Sequence, residues 1–361
     1  MAIYTLINNI LLSLNTKILV GGLFCDLQKA FDCVNYDILL SKMKFYAITD
    51  GTGKLMESYL RHRYQRVVIN NYSSTWKEVQ HGVPQGSVLG PLLFLIYIND
   101  LPKIVSDESV PVLFADDTSF IITSHDDGDL KHKVNEVFNK INKWFHSNSL
   151  RLNYNKTYFL QFHTKANKEN NAQILHSNKI TATAKSIKFL GLTLDTTLNW
   201  KHHISELTLR LNKACYAIRT IRPFMSLTAL KSTYFSYAHS IMSYGLIFWG
   251  NSTESDDIFK IQKRIIRIIT NSNKNASCRD LFKKLKILPL QSQYIYSILL
   301  FIIKHKDQFS LNSNIHTINT RYNSNLHVPP ANLTTYQKGV HYSGVRIFNH
   351  LPPTIKNLLN N

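Results

Sequence analysis

The chain is poor in cysteine, poor in acid over its second half, and free of long apolar runs. Its 361 residues hold four cysteines, Cys25, Cys33, Cys215 and Cys278, with no CxxC pair. That excludes a disulfide scaffold and a CxxC-type zinc site, and predicts reduced thiols in an intracellular protein. No stretch reaches the roughly 20 apolar residues of a spanning helix, so no membrane partner is expected. The apolar N-terminal stretch IYTLINNILLSLNTKILVGGLF is broken by Asn9, Asn15, Thr16 and Lys17 and has no basic segment before it, which argues against a signal peptide. No short repeat is visible. Acid is scarce where base is plentiful. Residues 201–361 carry 21 Lys/Arg against 6 Asp/Glu, a net of +15, whereas residues 1–125 carry 10 against 11 and residues 126–200 carry 11 against 6. A polyanion is therefore expected against the C-terminal half, with a solvated basic surface as the plainer alternative.

What is present is a real core and a change of pattern near residue 200. Apolar residues make up 44% of the chain, which rules out a disordered one. Residues 3–14 read as an amphipathic helix, and ILVGGLFCDL (18–27) as a strand ending on Asp26. YDILLSKMKFYAI and GKLMESYLRHR have helical spacing. QRVVIN and TWKEVQ alternate as a small hairpin joined by NYSS. HGVPQGSVLGPLLFLIYINDL opens as a loop and becomes a very apolar helix. VLFADDTSFII reads as a hairpin. Residues 129–147 form a helix with Leu130, Val134, Val137, Ile141 and Trp144 on one face, Trp144 being core. Strands are expected at 158–163, 185–190 and 192–195. After residue 200 only helices follow, at 201–220, 227–244, 255–270, 279–285 and 290–306, and the last 50 residues look irregular. In FKIQKRIIRIIT, Lys260, Lys263, Arg264 and Arg267 line one face and Ile261, Ile265 and Ile268 another, so the cationic face is a candidate phosphate-backbone contact. The order predicts an α+β part, then an all-helical one.

Three acids carry the chemistry. Asp26 ends one apolar strand, and Asp116 and Asp117 sit at the turn of a hairpin about ninety residues later. Adjacent carboxylates repel, and burial makes that worse. A polar turn is the plain reading. If the two elements pair in one sheet, the three carboxylates converge at its edge, and hard oxygen donors without His or Cys suit Mg²⁺. Two such ions can activate an attacking hydroxyl and stabilise a leaving phosphate oxygen.

GLFCDLQKAFDCVNYDILLSKM, HGVPQGSVLGPLLFLIYINDLP and LFADDTSFI resemble motifs A, B and C of reverse transcriptases, most closely those of non-LTR (LINE-type) retrotransposons of the Jockey-like kind. LRLNYNKTYFL is similar to motif D and IKFLGLTLDTTLNW to motif E. SYGLIFWGN, QKRIIRIIT and SCRDLFKKLKILPL are similar to the segment after the polymerase core. Five motifs in order over nearly the whole chain make the resemblance specific; ADD alone is weak.

The resemblance implies a right-hand polymerase: an α+β palm with an antiparallel sheet over residues 1–198, a helical thumb and basic region over 199–310, and an irregular tail over 311–361. It implies RNA-directed DNA polymerase activity on an RNA template, a DNA primer and dNTPs, with two Mg²⁺ ions or Mn²⁺ in their place. Asp26 and Asp116 would bind both metals, Asp117 would be the third acid, and the Leu27 carbonyl would help hold the nucleotide-bound ion. Phe31 would block a ribose 2′-OH, its plain alternative being a core ring. Phe114 and Ala115 would approach the primer end and incoming base. Gln85 and Gly86 would lie along the templating pair. Lys156 would protonate the pyrophosphate, its plain alternative being a surface lysine. Phe189, Leu190 and Gly191 would grip the primer. Asp32 reads as structural. The family places the proteins in the nucleus and cytoplasm as element ribonucleoprotein.

The family's fingers strands and N-terminal endonuclease have no counterpart in these residues. The chain is therefore expected to be a 5′-truncated element copy or part of a longer reading frame, with fingers largely missing and activity alone severely reduced or absent. Three outcomes follow: an equipped but incomplete polymerase, a non-catalytic nucleic-acid-binding relic, or an unstable palm that aggregates.

Overall fold

A computed structural model describes residues 1–164, 174–176, 179–181, 184–315 and 325–358; residues 316–324 of the expected tail lie outside this set. The chain divides into two compact units, residues 1–13 with 17–185, and residues 14–16 with 186–361.

The first unit is α+β. Its elements are α1 (Ala2–Asn15), β1 (Leu19–Cys25), α2 (Tyr36–Phe45), α3 (Asp50–Leu60), β2 (Arg63–Gln65), β3 (Val68–Ile69), β4 (Tyr72–Ser73), β5 (Lys77–Val79), α4 (Leu89–Ile98), α5 (Leu101–Val105), β6 (Ser109–Phe114), β7 (Asp117–Ser124), α6 (Asp127–Ser147), β8 (Tyr158–Phe162), β9 (Ile174–His176) and β10 (Lys179–Thr181). β6, β7, β1 and β8 form one antiparallel sheet in that order. β1 is central because it can be buried on both faces: six of its seven residues are buried, and glycines stand where rings need room. A Cβ on Gly21 would meet the Phe159 ring at 2.5 Å, and one on Gly22 the Phe24 ring at 2.6 Å. α6 packs on β1 and β7 with Leu130, Val134, Val137, Ile141 and Trp144, all buried, as its spacing predicts. It starts where the Asp126 carboxylate accepts the Asp129 N–H at 3.0 Å.

The β2–β5 excursion corrects one detail. Asn70 and Asn71, with φ of 46° and 69°, form the two-residue turn, and Tyr72 and Ser73 of the expected NYSS linker are strand residues paired with Ile69 and Val68. Two positive φ values are what a tight hairpin turn requires, and Asn tolerates them.

The second unit begins with the hairpin β11 (Ser186–Phe189) and β12 (Leu192–Asp195). Helices follow: α7 (Lys201–Ile221), a 3₁₀ turn Arg222–Phe224, α8 (Leu227–Thr233), α9 (Ser240–Ser243), α10 (Leu246–Trp249), α11 (Ser255–Ile269), α12 (Arg279–Leu285), α13 (Leu290–Lys304), α14 (Asn312–Ile315), α15 (Thr334–Gln337), α16 (Val340–Asn349) and α17 (Pro353–Leu358). The expected single helix over 227–244 is interrupted by a π-helical turn at Tyr234–His239. There the Tyr234 hydroxyl accepts the Gln262 amide N–H at 2.9 Å inside the core, a tertiary bond that helical periodicity does not reveal. The described part of the tail is more ordered than expected. Val345 of α16 joins Ile302, Phe309 and Leu326 in a small core, and the Asn349 amide both donates to and accepts from the Leu326 backbone.

Among the described residues no single helix is long and apolar enough to cross a membrane, although the bent pair Arg279–Leu285 and Leu290–Lys304 meets that test together.

Candidate active site

The site grows out of the sheet register. β1 pairs with β7 up to Cys25 opposite Thr118, so one step further Asp26 and Asp117 lie across from each other at the sheet edge. β6 and β7 close on the pair Phe114–Asp117, leaving Ala115 and Asp116 as a two-residue turn. Ala115 has φ of 52° while Asp116 stays out of the left-handed region. That is the sign pattern of a turn that prefers glycine at the first position, so the alanine carries backbone strain. Phe114 is 56% exposed beside it.

Asp26 is held by Asn153, from the loop that leads into a 3₁₀ turn at Tyr154–Lys156. The Asn153 N–H donates to the Asp26 carbonyl at 2.8 Å, and its side-chain amide donates to Asp26 Oδ2 at 3.0 Å. Lys156 Nζ lies 4.0 Å from the same oxygen, on an exposed side chain. Leu27 is buried and bridges to Leu152. Asp26, Leu27, Asp32, Asp116, Asn153 and Lys156 line one open cleft of about 1030 Å³, with Lys29 and Arg151 also at its wall.

Asp117 feels the other two carboxylates. The Asp117 carboxyl is held above the ordinary carboxylate range, first by desolvation, then by the charges of Asp116 and Asp26. Its side chain is nonetheless open to solvent, so screening limits the energy involved. Among the described residues the three acids do not by themselves close into a three-ligand set. The donor chemistry still suits a hard divalent cation: carboxylate oxygens, no imidazole or thiolate, and mutual repulsion that a cation relieves.

A folded-state pKa above the unfolded value means that ionising Asp117 costs stability, a cost absent at acid pH and incurred as pH rises through the raised value. Asp117→Asn is therefore expected to raise the melting temperature at pH 7 without divalent ions, by a small amount because solvent screens the exposed carboxylate. The gain should vanish as pH is lowered into the carboxylate range. Thermal unfolding from pH 3 to 7 checks this, and a gain that persists at pH 3 would assign it to something other than charge.

Phe31 is half-buried, with its ring 4.6 Å from that of Phe94, centroid to centroid, so it does pack on the core. The Gln85 side-chain amide donates to Asp32 Oδ1 at 2.9 Å. Asp32 thus ties the motif B loop to motif A, a role its sequence position does not show. Gly86 is exposed with φ of 82°, in a backbone conformation that favours glycine.

The remaining predicted residues belong to the second unit. Leu190 and Gly191, with φ of 43° and 78°, form the turn between β11 and β12, and the Tyr244 hydroxyl donates to the Leu190 carbonyl. Phe189 is buried, so any ligand of this turn meets its backbone or Leu190 rather than the Phe189 ring. The cationic face of α11 is divided by its partners. Lys260 pairs with Asp257 at 2.8 Å, Lys263 sits 4.6 Å over the Phe259 ring, and the Arg264 guanidinium donates to Asn212 at 3.3 Å. The Arg267 guanidinium donates to the Ala276 carbonyl at 2.9 Å. Lys260 and Arg264 are exposed, and Arg267 is half-buried in a structural role.

Residues 12–194 match the family model described as reverse transcriptase (RNA-dependent DNA polymerase). The chain belongs to the reverse transcriptase family. Its likeness within that family is to Jockey-like elements of Drosophila melanogaster. It is 30% identical over 280 residues to the probable RNA-directed DNA polymerase from transposon BS, covering 74% of this chain and 31% of that protein. It is 26% identical to the RNA-directed DNA polymerase from mobile element jockey, covering 79% and 32%. This reverse transcriptase chain thus spans about a third of the length of the curated relatives it matches. Among solved structures it is similar to apo telomerase from Candida tropicalis, at 14% identity and a TM-score of 0.44, covering 86% of this chain and 55% of that one. Reverse transcriptases generally use divalent metal ions.

Proposed function

We propose that this chain carries the nucleotidyl-transfer site of an RNA-directed DNA polymerase, joining a dNTP to a DNA primer 3′-hydroxyl on an RNA template. One observation carries the reading: the sheet register sets Asp26 and Asp117 across from each other, with Asp116 in the adjoining turn, at the mouth of a cleft in a chain of the reverse transcriptase family. Asp26 and Asp116, with Asp117 and the Leu27 carbonyl, would hold two Mg²⁺ ions, or Mn²⁺, which when bound supply charge neutralisation at the α-phosphate and acidify the primer hydroxyl.

The chain's own residues do the rest. Asn153 fixes the Asp26 carboxylate, so the ligand is in place before substrate arrives. Lys156, at the cleft wall, is placed to neutralise or protonate the departing pyrophosphate. Phe31, braced by Phe94, sets the space beside the sugar, and Gln85, braced by Asp32, stands along the templating pair. Phe114 and the Ala115 turn present the primer end to the acids.

The test is primer extension on an RNA template with Mg²⁺ and dNTPs, by the chain alone and joined to the preceding polymerase segment of a related element, each beside Asp116→Asn. Extension that the substitution removes is the expected result in the joined form. Extension that survives it, or none in a soluble joined form that binds template and primer, overturns the reading in favour of a nucleic-acid binder without chemistry.

A further inference from the structure

The second unit contains a pocket that the polymerase reading does not use. It measures about 380 Å³ and lies among the 3₁₀ turn after α7, the start of α8, the C-terminal end of α11, and α12. Its apolar lining comes from Met225, Leu227, Leu230 and Ile269, and Arg222 and Lys284 stand at its wall. Neither cation has an ion-pair or hydrogen-bond partner among the described residues. None of the six acids in residues 201–361 lines the pocket, which carries two positive charges and no negative one. Phe224, between Arg222 and Met225 in the same turn, is 85% exposed. A large aromatic side chain on a short 3₁₀ turn and left in water is a stacking surface without an occupant in the fold.

These features select one kind of ligand. Two unpaired cations call for an anion, and their different shapes, a fork and a point, both suit phosphate. The apolar floor calls for a flat or greasy group attached to that anion. The volume lies at the small end of ligand pockets and suits one nucleobase with its sugar. A base can enter a concave pocket only if it is unstacked, which duplex does not allow without extrusion.

We propose that this pocket binds one nucleotide of a single strand, its base over Met225 and Leu227, its phosphate between Arg222 and Lys284, and the neighbouring base on Phe224. The proposal rests on the reading that the chain handles nucleic acid, and gives the second unit a single-strand contact of its own, independent of the carboxylates of the first. A strand held here would be template or product outside the paired region.

The test is equilibrium binding of a fluorescent 12-residue oligouridylate to the full chain, across a salt series, with an abasic strand of equal length in parallel. The variants are R222Q/K284Q, Phe224→Ala, and the charge-matched control K201Q/K304Q, whose residues do not line the pocket. R222Q/K284Q is expected to weaken binding about tenfold and to flatten the salt slope by roughly 1.4, the value for two phosphate contacts on a single strand. Phe224→Ala should weaken the oligouridylate by about fivefold or more, as loss of one stacked base does, and leave the abasic strand unchanged. Equal losses in R222Q/K284Q and the control would reduce the effect to net charge and overturn the site. Abasic and normal strands that respond alike would make it a phosphate site and overturn the base pocket. A parent that binds neither strand overturns the proposal outright. Extension that depends on Asp116 is read separately and stands or falls without this pocket.

Discussion

Asp26→Asn is expected to lower the rate of primer extension by the joined form on the order of 10²–10³-fold, the loss typical of removing one fixed electrostatic partner from a transition state. The substitution keeps the shape of the side chain, and its amide oxygen can still accept from Asn153. What it removes is one of the two negative charges that, after burial, hold the Asp117 carboxyl above its ordinary range. The folded protein should therefore be no less stable, and its melting temperature without divalent ions should stay level or rise. Asn153→Ala provides the graded companion. It leaves all three charges and removes only the 3.0 Å bond that orients one of them. Residues that orient metal ligands typically contribute about 10–100-fold, and the loss should appear mainly as a raised requirement for divalent ion. The comparison is a titration of extension rate with Mg²⁺ for parent and both variants. If high Mg²⁺ restores Asp26→Asn as fully as Asn153→Ala, the charge of Asp26 is not part of the chemistry.

Gln262→Leu should cost stability heavily, by about 3–5 kcal/mol, because it strands more than one buried polar group. Gln262 is 1% exposed, among Ile258, Ile261, Ile265 and Ile266 on the buried face of α11. Its amide donates to the Tyr234 hydroxyl at 2.9 Å and to the Leu288 carbonyl at 3.0 Å, and it accepts the Leu290 N–H at 2.9 Å. Three elements meet there: the π-helical turn, α11, and the start of α13. Burial pushes the Tyr234 phenol up to about 12, so the hydroxyl stays protonated throughout the working range. Leucine fills a similar volume and satisfies none of these partners. Tyr234→Phe removes one orphan in advance, so the double variant should be less destabilised than the sum of the singles, by about 1–2 kcal/mol. Denaturant unfolding of the four proteins gives the cycle, and simple additivity would show that the hydroxyl is satisfied by other means.

Sequence periodicity revealed what periodicity can express. The strand before Asp26, the hairpin around Asp116 and Asp117, and the buried face of α6 all follow from spacing of two or about four residues. The placement of Asp26 opposite Asp117 was legible as a possibility because both stand at strand ends. Polar contacts between distant segments were not. Asn153 reaches Asp26 across 127 residues, and Gln85 reaches Asp32 across 53. Nothing in a local pattern separates a glutamine that bridges three elements from one on a wet surface, so the role of Gln262 is not legible in FKIQKRIIRIIT. The order of α16 was missed for a related reason. Its core is small, and two backbone bonds to one asparagine side chain hold the segment that supplies Leu326.

The two glycines of β1 have a consequence beyond making room for rings. A strand can slide along its neighbours by one residue and still satisfy many backbone bonds, and such a slip would carry Asp26 away from Asp117. Here a slip in one direction sets Val20 where Gly21 stood, against Phe159. A slip in the other sets Leu23 where Gly22 stood, against Phe162 of β8. Both collide. The adjacent glycines therefore work as a two-tooth key that fits the aromatic lock in one position only, and the alignment of the acids is inherited from it. A larger residue at Gly21 or Gly22 should first show itself as acids set out of step, in a protein whose sheet still forms.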